Sequence, residues 1–165
     1  MISIVNNTDN CFTDIRAIAN EVWPIAYRTI ISKEQLSYML QMMYSKEALQ
    51  LQVRENKHHF ILAIENNKPI GFASYEFNYS GSKKTKIHKI YILSDHQGKR
   101  IGEQLINYIE TEAKKEHQVS LYLNVNKFNS AQHFYKKMGF SVSFEEVIDI
   151  GNGYIMDDFV MEKKI

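Results

Sequence analysis

A short run of small and basic residues lies where an apolar strand is predicted to turn into a helix. The run comprises Gln97, Gly98, Lys99, Arg100, Ile101 and Gly102. Backbone amides at a helix N-terminus are free and lie at the positive end of the helix dipole, so the run could bind a phosphate. An ordinary strand–turn–helix connection is the alternative, because neither the GxxxxGK[ST] spacing nor the GxGxxG spacing is present.

A second candidate for chemistry is Tyr135, on a helix predicted to follow a short polar loop. Ala131, Phe134, Tyr135 and Met138 share one face of this helix, and Gly139 is predicted to end it in a left-handed conformation. Because Tyr135 lies on this apolar stripe, the spacing alone favours a core aromatic.

Together the two segments resemble the GNAT superfamily of acetyl-CoA-dependent N-acetyltransferases. Its phosphate loop reads [QR]-x-x-G-x-[GA]; Gln97 and Gly102 match, while Arg100 stands where the first small residue is usual. Its second signature resembles N-x-x-A-x-x-[FLY]-Y-x-x-x-G-F, and the matches are Ala131, Phe134, Tyr135, Gly139 and Phe140. Asn129 is one residue closer to Ala131 than in the signature, so capping the helix is an alternative to binding the cofactor.

The resemblance implies a fold and a co-substrate. The fold is α/β: a single domain, 1–165, with a mixed, mostly antiparallel, twisted sheet flanked by helices and acetyl-CoA in the splay between two central strands. The backbone amides of Ile90, Tyr91 and Ile92 would contact the pantetheine arm and the thioester carbonyl. The amides of residues 98–102 would hold the pyrophosphate, and Tyr135 would lie near the sulfur as general acid.

The family's reaction also needs a general base, because an amine with a pKa near 10.4 costs about 4–5 kcal/mol to deprotonate at pH 7. The sequence offers Glu76, near the end of a predicted strand, and His88, predicted to share a strand face with Ile90 and Ile92. Ordinary surface or edge residues are the alternative for both. The six histidines show no spacing typical of a metal site, so no metal is expected.

The first third of the chain is expected to wall the acceptor site. It is similar to polyamine acetyltransferases of the spermidine/spermine type in the segments around Trp23, Tyr27 and Tyr38, and Tyr44 follows them. Aromatic faces can hold an organic cation, and nearby acids could help. The candidate acids are Glu21, Glu34 and Glu76. The same aromatics could instead be core, and an aminoglycoside or a protein N-terminus could be the acceptor.

Composition narrows the function classes. Lys and Arg total 20 and Asp and Glu total 19, so no basic field favours nucleic acid. A single cysteine, Cys11, cannot form an internal disulfide, and no secretory signal or membrane-spanning apolar run is evident, so a cytoplasmic location is expected. The partner expected is a small-molecule amine, with a homodimer as a candidate assembly. A non-catalytic domain that binds acyl-CoA is the alternative to an enzyme.

The elements that must position these residues can be predicted from periodicity. Helices are predicted over 13–23, 36–43 and 46–53, with Ser32 and Gln35 as a capping box for the second. Strands are predicted over 2–5, 60–64, 70–77 and 140–148, and another ends at Ile92. The turn Gly151-Asn152-Gly153 predicts a hairpin with a final strand through 156–161.

Overall fold

The computed structural model describes residues 1–6 and 11–165, and its regular elements follow the predicted order. The strands are β1 (Ile2–Asn6), β2 (His59–Glu65), β3 (Lys68–Glu76), β4 (Lys84–Ile92), β5 (Ser120–Asn126), β6 (Ser141–Gly151) and β7 (Tyr154–Lys164). The helices are α1 (Phe12–Ala26), α2 (Lys33–Tyr44), α3 (Lys46–Arg54), α4 (Ile101–Lys115) and α5 (Ala131–Lys137). Among the described residues, no helix is both long and apolar enough to span a membrane.

The seven strands form one sheet in the order β1-β2-β3-β4-β5-β7-β6. Neighbouring strands are antiparallel except β4 and β5, which are parallel. The parallel pairing joins only residues 84–87 of β4 to residues 120–123 of β5. Beyond Ile87 the two strands continue without pairing to each other, so the sheet opens at its centre. The predicted mixed, mostly antiparallel sheet is confirmed.

Apolar residues of the central strands point to both faces of the sheet. On β2, Phe60 and Leu62 pack with α1 to α3, while Ile61 and Ala63 pack with α4 on the opposite face. All four are buried, as the uninterrupted apolar run predicts. The sheet therefore separates an α1–α3 face from an α4–α5 face, and the opening between β4 and β5 connects them.

Helix α2 is attached to the β6–β7 hairpin by two side chains. Ser32 Oγ accepts a hydrogen bond from Gln35 N at 3.1 Å, as the side chain of an N-cap residue should. A capping box also needs the Gln35 side chain to bond Ser32 N, and this part of the prediction is wrong. The Gln35 amide instead donates to Ile155 O at 3.0 Å. Tyr38 Oη donates to Ile150 O at 2.9 Å on the other strand of the hairpin. These two bonds fix one wall of the central opening.

The hairpin and the end of α5 take the predicted glycine conformations. Asn152 and Gly153 have φ of 54° and 77°, the positive values that a type I′ turn requires. Gly139 has φ of 94°. Its N–H donates to Lys136 O, and Phe140 N–H donates to Tyr135 O at 3.0 Å, so α5 ends in a Schellman motif. This ending fixes the direction in which the chain leaves Tyr135.

Candidate active site

A cavity of about 1420 Å³ occupies the opening between β4 and β5. One end is lined by residues 97–98 and 100–103 together with residues of α5. The other end is lined by residues of α1 and α2 and by the inward face of β6 and β7. We call these the loop end and the acceptor end. A molecule placed in the opening can therefore contact both faces of the sheet.

The loop before α4 presents free backbone amides to the loop end. Gly98 and Arg100 both have left-handed backbones, with φ of 80° and 58°. Arg100 is the N-cap of α4, so it is not helical, and its side chain is largely exposed. Within the described chain, the amides of residues 98–103 have no backbone acceptor. Several free N–H groups at the N-terminus of a helix can donate hydrogen bonds to the oxygens of a diphosphate.

Gly102 and Lys99 differ in what they contribute to this loop. A Cβ at position 102 would lie 2.9 Å from Phe134 Cζ, so only glycine allows α4 and α5 to approach this closely. Lys99 does not line the cavity, and its Nζ lies 3.5 Å from Glu65 Oε2. Close packing against Phe134 thus explains the glycine at position 102. The Lys99 ammonium forms an ion pair with Glu65 instead of facing the cavity.

The unpaired edge of β4 offers two further amides. Leu93 N–H donates to Ile70 O on β3 at 2.9 Å. Because amide direction alternates along a strand, Ile92 and Ile90 direct their N–H groups into the opening, and Tyr91 directs its own towards β3. The Tyr91 side chain lines the cavity on the α1–α3 face. Of the three amides predicted to bind the cofactor, two therefore have the required direction.

Tyr135 lines the cavity from α5. The side chain is 7% exposed and packs against Phe140, with ring centroids 5.9 Å apart. Burial raises the pKa of the Tyr135 phenol, and the nearby Tyr27 adds to the rise. The phenol is therefore neutral at physiological pH and holds a proton it can donate. Asn129, at the start of the same helix, accepts from Ala131 N at 2.9 Å, which is the capping role, and it also lines the cavity.

Aromatic and methionine side chains form the acceptor end. The Trp23 ring contacts Tyr27 and Tyr91 in tilted arrangements, with centroid distances of 4.5 and 5.7 Å, and the two tyrosine hydroxyls lie 2.9 Å apart. Other lining residues here are Met39, Met42, Met43, Ile148, Ile150 and Met156. Among the residues predicted for the acceptor, Trp23 and Tyr27 line the cavity. The other five do not; these are Tyr38, Tyr44, Glu21, Glu34 and Glu76.

The predicted bases Glu76 and His88 lie together, but His88 is not on the strand face where alternation places it. His88 is an extra residue in β4, because Ile87 pairs with Tyr75 and Lys89 pairs with Ser74. This bulge places His88 on the α1–α3 face, so the prediction that it shares a face with Ile90 and Ile92 is wrong. Its Nε2 lies 2.8 Å from Glu76 Oε2. His88 lines the central cavity, whereas Glu76 lines a smaller neighbouring one.

His58 completes this cluster. Its ring stacks on His88 with centroids 3.9 Å apart. Burial, with positive charge from Lys89 and Lys86, lowers the pKa of His58 to about 3 and that of His88 further. Their nitrogens and the Glu76 carboxylate lie within 4.8 Å of one another, a grouping that sequence spacing did not show.

One buried acid of the cavity is not among the residues predicted from the sequence. Asp158 lines the acceptor end from β7 and is 6% exposed. Burial raises the pKa of its carboxyl group. The signal was present: Met156, Asp158 and Val160 alternate on one strand face, and an acid between two apolar residues on a buried face is unusual.

Comparison with known proteins assigns this arrangement to a family. A sequence model described as "Acetyltransferase (GNAT) family" matches residues 13–140. The chain belongs to the GNAT acetyltransferase family. A spermidine N(1)-acetyltransferase of Thermoplasma acidophilum is 28% identical over 152 residues, covering 89% of this chain and 87% of that protein.

Solved structures agree with the family assignment. The PaiA N-acetyltransferase of Thermoplasma acidophilum in complex with coenzyme A superposes with a TM-score of 0.83 at 28% identity, covering 100% of this chain and 99% of the other. A GCN5-related N-acetyltransferase of Rhodopseudomonas palustris has a TM-score of 0.82 at 19% identity over 99% and 95% of the two chains, which shows the fold alone.

This GNAT protein is thus an acetyl-CoA-dependent N-acetyltransferase, and of the two functions considered from sequence the enzyme is the one supported. Its loop end fits the co-substrate. Free amides at residues 98–103 suit the pyrophosphate, and the edge of β4 offers the Ile90 and Ile92 amides. Acetyl-CoA, when bound, supplies an activated acetyl group.

Proposed function

We propose that this GNAT enzyme acetylates a primary amine of a small molecule, with polyamines as the leading class. The observation that carries the proposal is the wall of the acceptor end. Methionine and isoleucine side chains give it an apolar surface that suits the methylene groups of an aliphatic amine. Trp23 and Tyr27 add aromatic surface that can contact a cation.

The position of the acceptor end favours a small substrate over a folded protein. The bonds from Gln35 to Ile155 and from Tyr38 to Ile150 attach α2 to the β6–β7 hairpin and fix one wall of the cavity. A cavity walled by helices and a hairpin accommodates a small amine more readily than a protein surface. The spermidine N(1)-acetyltransferase that this chain resembles is named for such an acceptor.

In the proposed mechanism, residues 98–102 hold the pyrophosphate and the Ile90 and Ile92 amides orient and polarise the thioester carbonyl. Gln97, at the start of the loop, and Asn129, at the start of α5, line the same cavity and complete the predicted cofactor site. Tyr135 holds its proton at the phenol oxygen and donates it to the departing sulfur. Of the two predicted bases, His88 is the better placed, because it lines the central cavity.

A steady-state panel tests the acceptor. Rates of thiol release from acetyl-CoA would be measured with spermidine, spermine, an aminoglycoside, an amino-acid amine and a peptide with a free N-terminus. We expect the highest kcat/KM with a polyamine. A peptide N-terminus that exceeds spermidine in kcat/KM would overturn the acceptor class and leave the family assignment unchanged. The cytoplasmic location and a homodimer stay predictions, and sedimentation velocity would test the second.

A further inference from the structure

The strongest unexplained feature of the acceptor end is the pair formed by Asp158 and Asn124. Asp158 lies on β7 and Asn124 on the neighbouring strand β5, and both line the cavity. Asn124 Nδ2 donates to Asp158 Oδ2 at 3.3 Å and to Glu146 Oε2, on β6, at 2.9 Å. The two carboxylates therefore fix which way the Asn124 amide points.

This arrangement leaves two buried acceptors without a donor. Asp158 Oδ1 and Asn124 Oδ1 are both enclosed, and no described residue donates a hydrogen bond to either. A buried acceptor without a partner costs about 1–3 kcal/mol, and more when the group is charged. Two such oxygens at the wall of a cavity can accept hydrogen bonds from a ligand that carries several N–H groups, as an ammonium does.

The charges around the pair also favour a cation. Glu146 and Asp157 both raise the pKa of Asp158, while Lys86 lowers it. Lys86 is directed elsewhere, with its Nζ 3.1 Å from Tyr79 Oη and 4.4 Å from the centroid of that ring. Tyr27, at the end of α1, faces Asp158 with a neutral phenol whose own pKa is raised by burial. Within the described chain, Asp158 has no ion-pair partner.

We propose that Asp158 and Asn124 bind the ammonium group of the acceptor and that Asp158 takes its proton. This inference rests on the proposed function. One N–H bond of the ammonium breaks and its electron pair stays on nitrogen, while an O–H bond forms on the Asp158 carboxylate. The amine becomes a neutral nucleophile and Asp158 a neutral acid, which returns its proton to water as the product leaves.

Geometry favours Asp158 over His88 for this proton. His88 Nε2 is engaged by Glu76 at 2.8 Å, and its ring is covered by His58. Lys86 and Lys89 lie close enough to both histidines to oppose the approach of a cation. Asp158 has negative neighbours and an unpartnered oxygen. A cationic amine is therefore attracted to Asp158 and repelled from the surroundings of His88.

The first experiment compares Asp158→Asn with Glu145→Gln. Glu145 is an exposed acid on β6 whose carboxylate bonds Lys127 Nζ at 2.9 Å, so its variant is the control for loss of a carboxylate. We expect Asp158→Asn to lower kcat/KM for spermidine by about 10²-fold or more, the usual range for loss of a general base. Glu145→Gln should stay within twofold of the native enzyme, and calorimetry should show native acetyl-CoA affinity in both variants.

The second experiment separates ammonium binding from a structural role. Ethylamine and trifluoroethylamine have similar size, but at neutral pH the first is charged and the second is largely neutral. The Asp158→Asn defect should be large for ethylamine and at most a few-fold for trifluoroethylamine. In the native enzyme, kcat/KM should fall at acidic pH as Asp158 becomes protonated. This fall should be absent from the pH profile of Asp158→Asn. An equal defect for both amines would overturn the proposal.

Failure of the proposed function would look different. If the native enzyme acetylates no amine of the panel, the proposed function is wrong. If the native enzyme acetylates amines and Asp158→Asn does so equally well, only the Asp158 assignment is wrong. Should Asp158→Asn fail to bind acetyl-CoA, Asn124→Ser replaces it in the same amine comparison. An unchanged KM for charged amines in Asn124→Ser would then overturn the proposal.

Discussion

Tyr135 is a buried core residue and a cavity residue at once. Its ring packs against Phe140, while its raised pKa keeps the phenol protonated. The apolar stripe predicted the packing, which the structure shows. The role of proton donor, which the family signature implies, stays a prediction, and the position of Tyr135 in the cavity is compatible with it.

Removing the Tyr135 hydroxyl tests its chemical role. We expect Tyr135→Phe to lower kcat by about 10²–10⁴-fold, because the departing sulfur loses its proton donor. The affinity for acetyl-CoA should stay within twofold, since the ring is retained. Tyr108→Phe on α4 is the control. A Tyr135→Phe variant with native kcat would show that the tyrosine only packs.

Gly102 allows a test of close packing. The Cβ of Gly102→Ala would lie 2.9 Å from Phe134 Cζ, so the Phe134 ring or α5 itself must shift. We expect a loss of about 1–3 kcal/mol in the free energy of unfolding, together with weaker binding of acetyl-CoA. Adding Phe134→Leu removes the contacting ring atoms and should restore most of both. If the double variant is no better than Gly102→Ala, the contact with Phe134 is not the cause.

At the scale of the elements, the order, type and approximate length of helices and strands could be predicted from the sequence. Periodicity placed α1 and β2, and the Asn152-Gly153 pair placed the last hairpin. The predictions that were wrong depend on a neighbouring strand. His88 lies on the face opposite to the predicted one because β3 leaves it unpaired, and the Gln35 side chain bonds Ile155 on β7 instead of Ser32. Such contacts join residues far apart in sequence, and a local pattern does not contain them.

The end of α5 supports a prediction about this element. Gly139 has φ of 94°, where any other residue is strained. Gly139→Ala should lower the free energy of unfolding by about 1–2 kcal/mol. Urea denaturation would measure this, with Lys136→Ala at the exposed surface of the same helix as the control. A loss no greater than that of the control would contradict the Schellman ending.

At the scale of the whole molecule, the candidate site is assembled from distant segments by the opening in the sheet. Residues from α1, the loop before α4, α5 and β7 all reach one cavity. The loop and Tyr135 were predictable because they carry family signatures. For Asp158 the sequence carried one signal, an acid on an apolar strand face. Its pairing with Asn124 was not predictable, because that contact joins β5 to β7 and neither segment reveals it alone.

The buried histidines predict how stability depends on pH. An unfolded histidine gains a proton near pH 6.5, whereas burial holds the pKa of His58 at about 3 and also lowers that of His88. Stability is therefore fully present above pH 6.5. It should fall below that pH by about 1.4 kcal/mol per pH unit for each histidine.

Urea denaturation between pH 7.5 and 5 would measure this slope. These limits are about one unit above and one and a half units below the histidine reference pKa. We expect His58→Gln to reduce the slope, because one group that resists protonation is removed, and His133→Gln, at an exposed site, to leave it unchanged. A slope that is the same in the native protein and in His58→Gln would show that His58 does not resist protonation in the folded state.

The extra residue at His88 also has a consequence for insertions and deletions. Ile87 pairs with Tyr75 and Lys89 pairs with Ser74, so β3 and β4 stay in register on both sides of the bulge. Deleting His88 would close the bulge and leave Ile90, Tyr91 and Ile92 opposite the same residues of β3. Deleting any other residue between Lys89 and Ile92 would instead turn the side chains that follow it to the other face. When related chains are compared, a gap of one residue is therefore tolerable at His88 and disruptive in the rest of this edge.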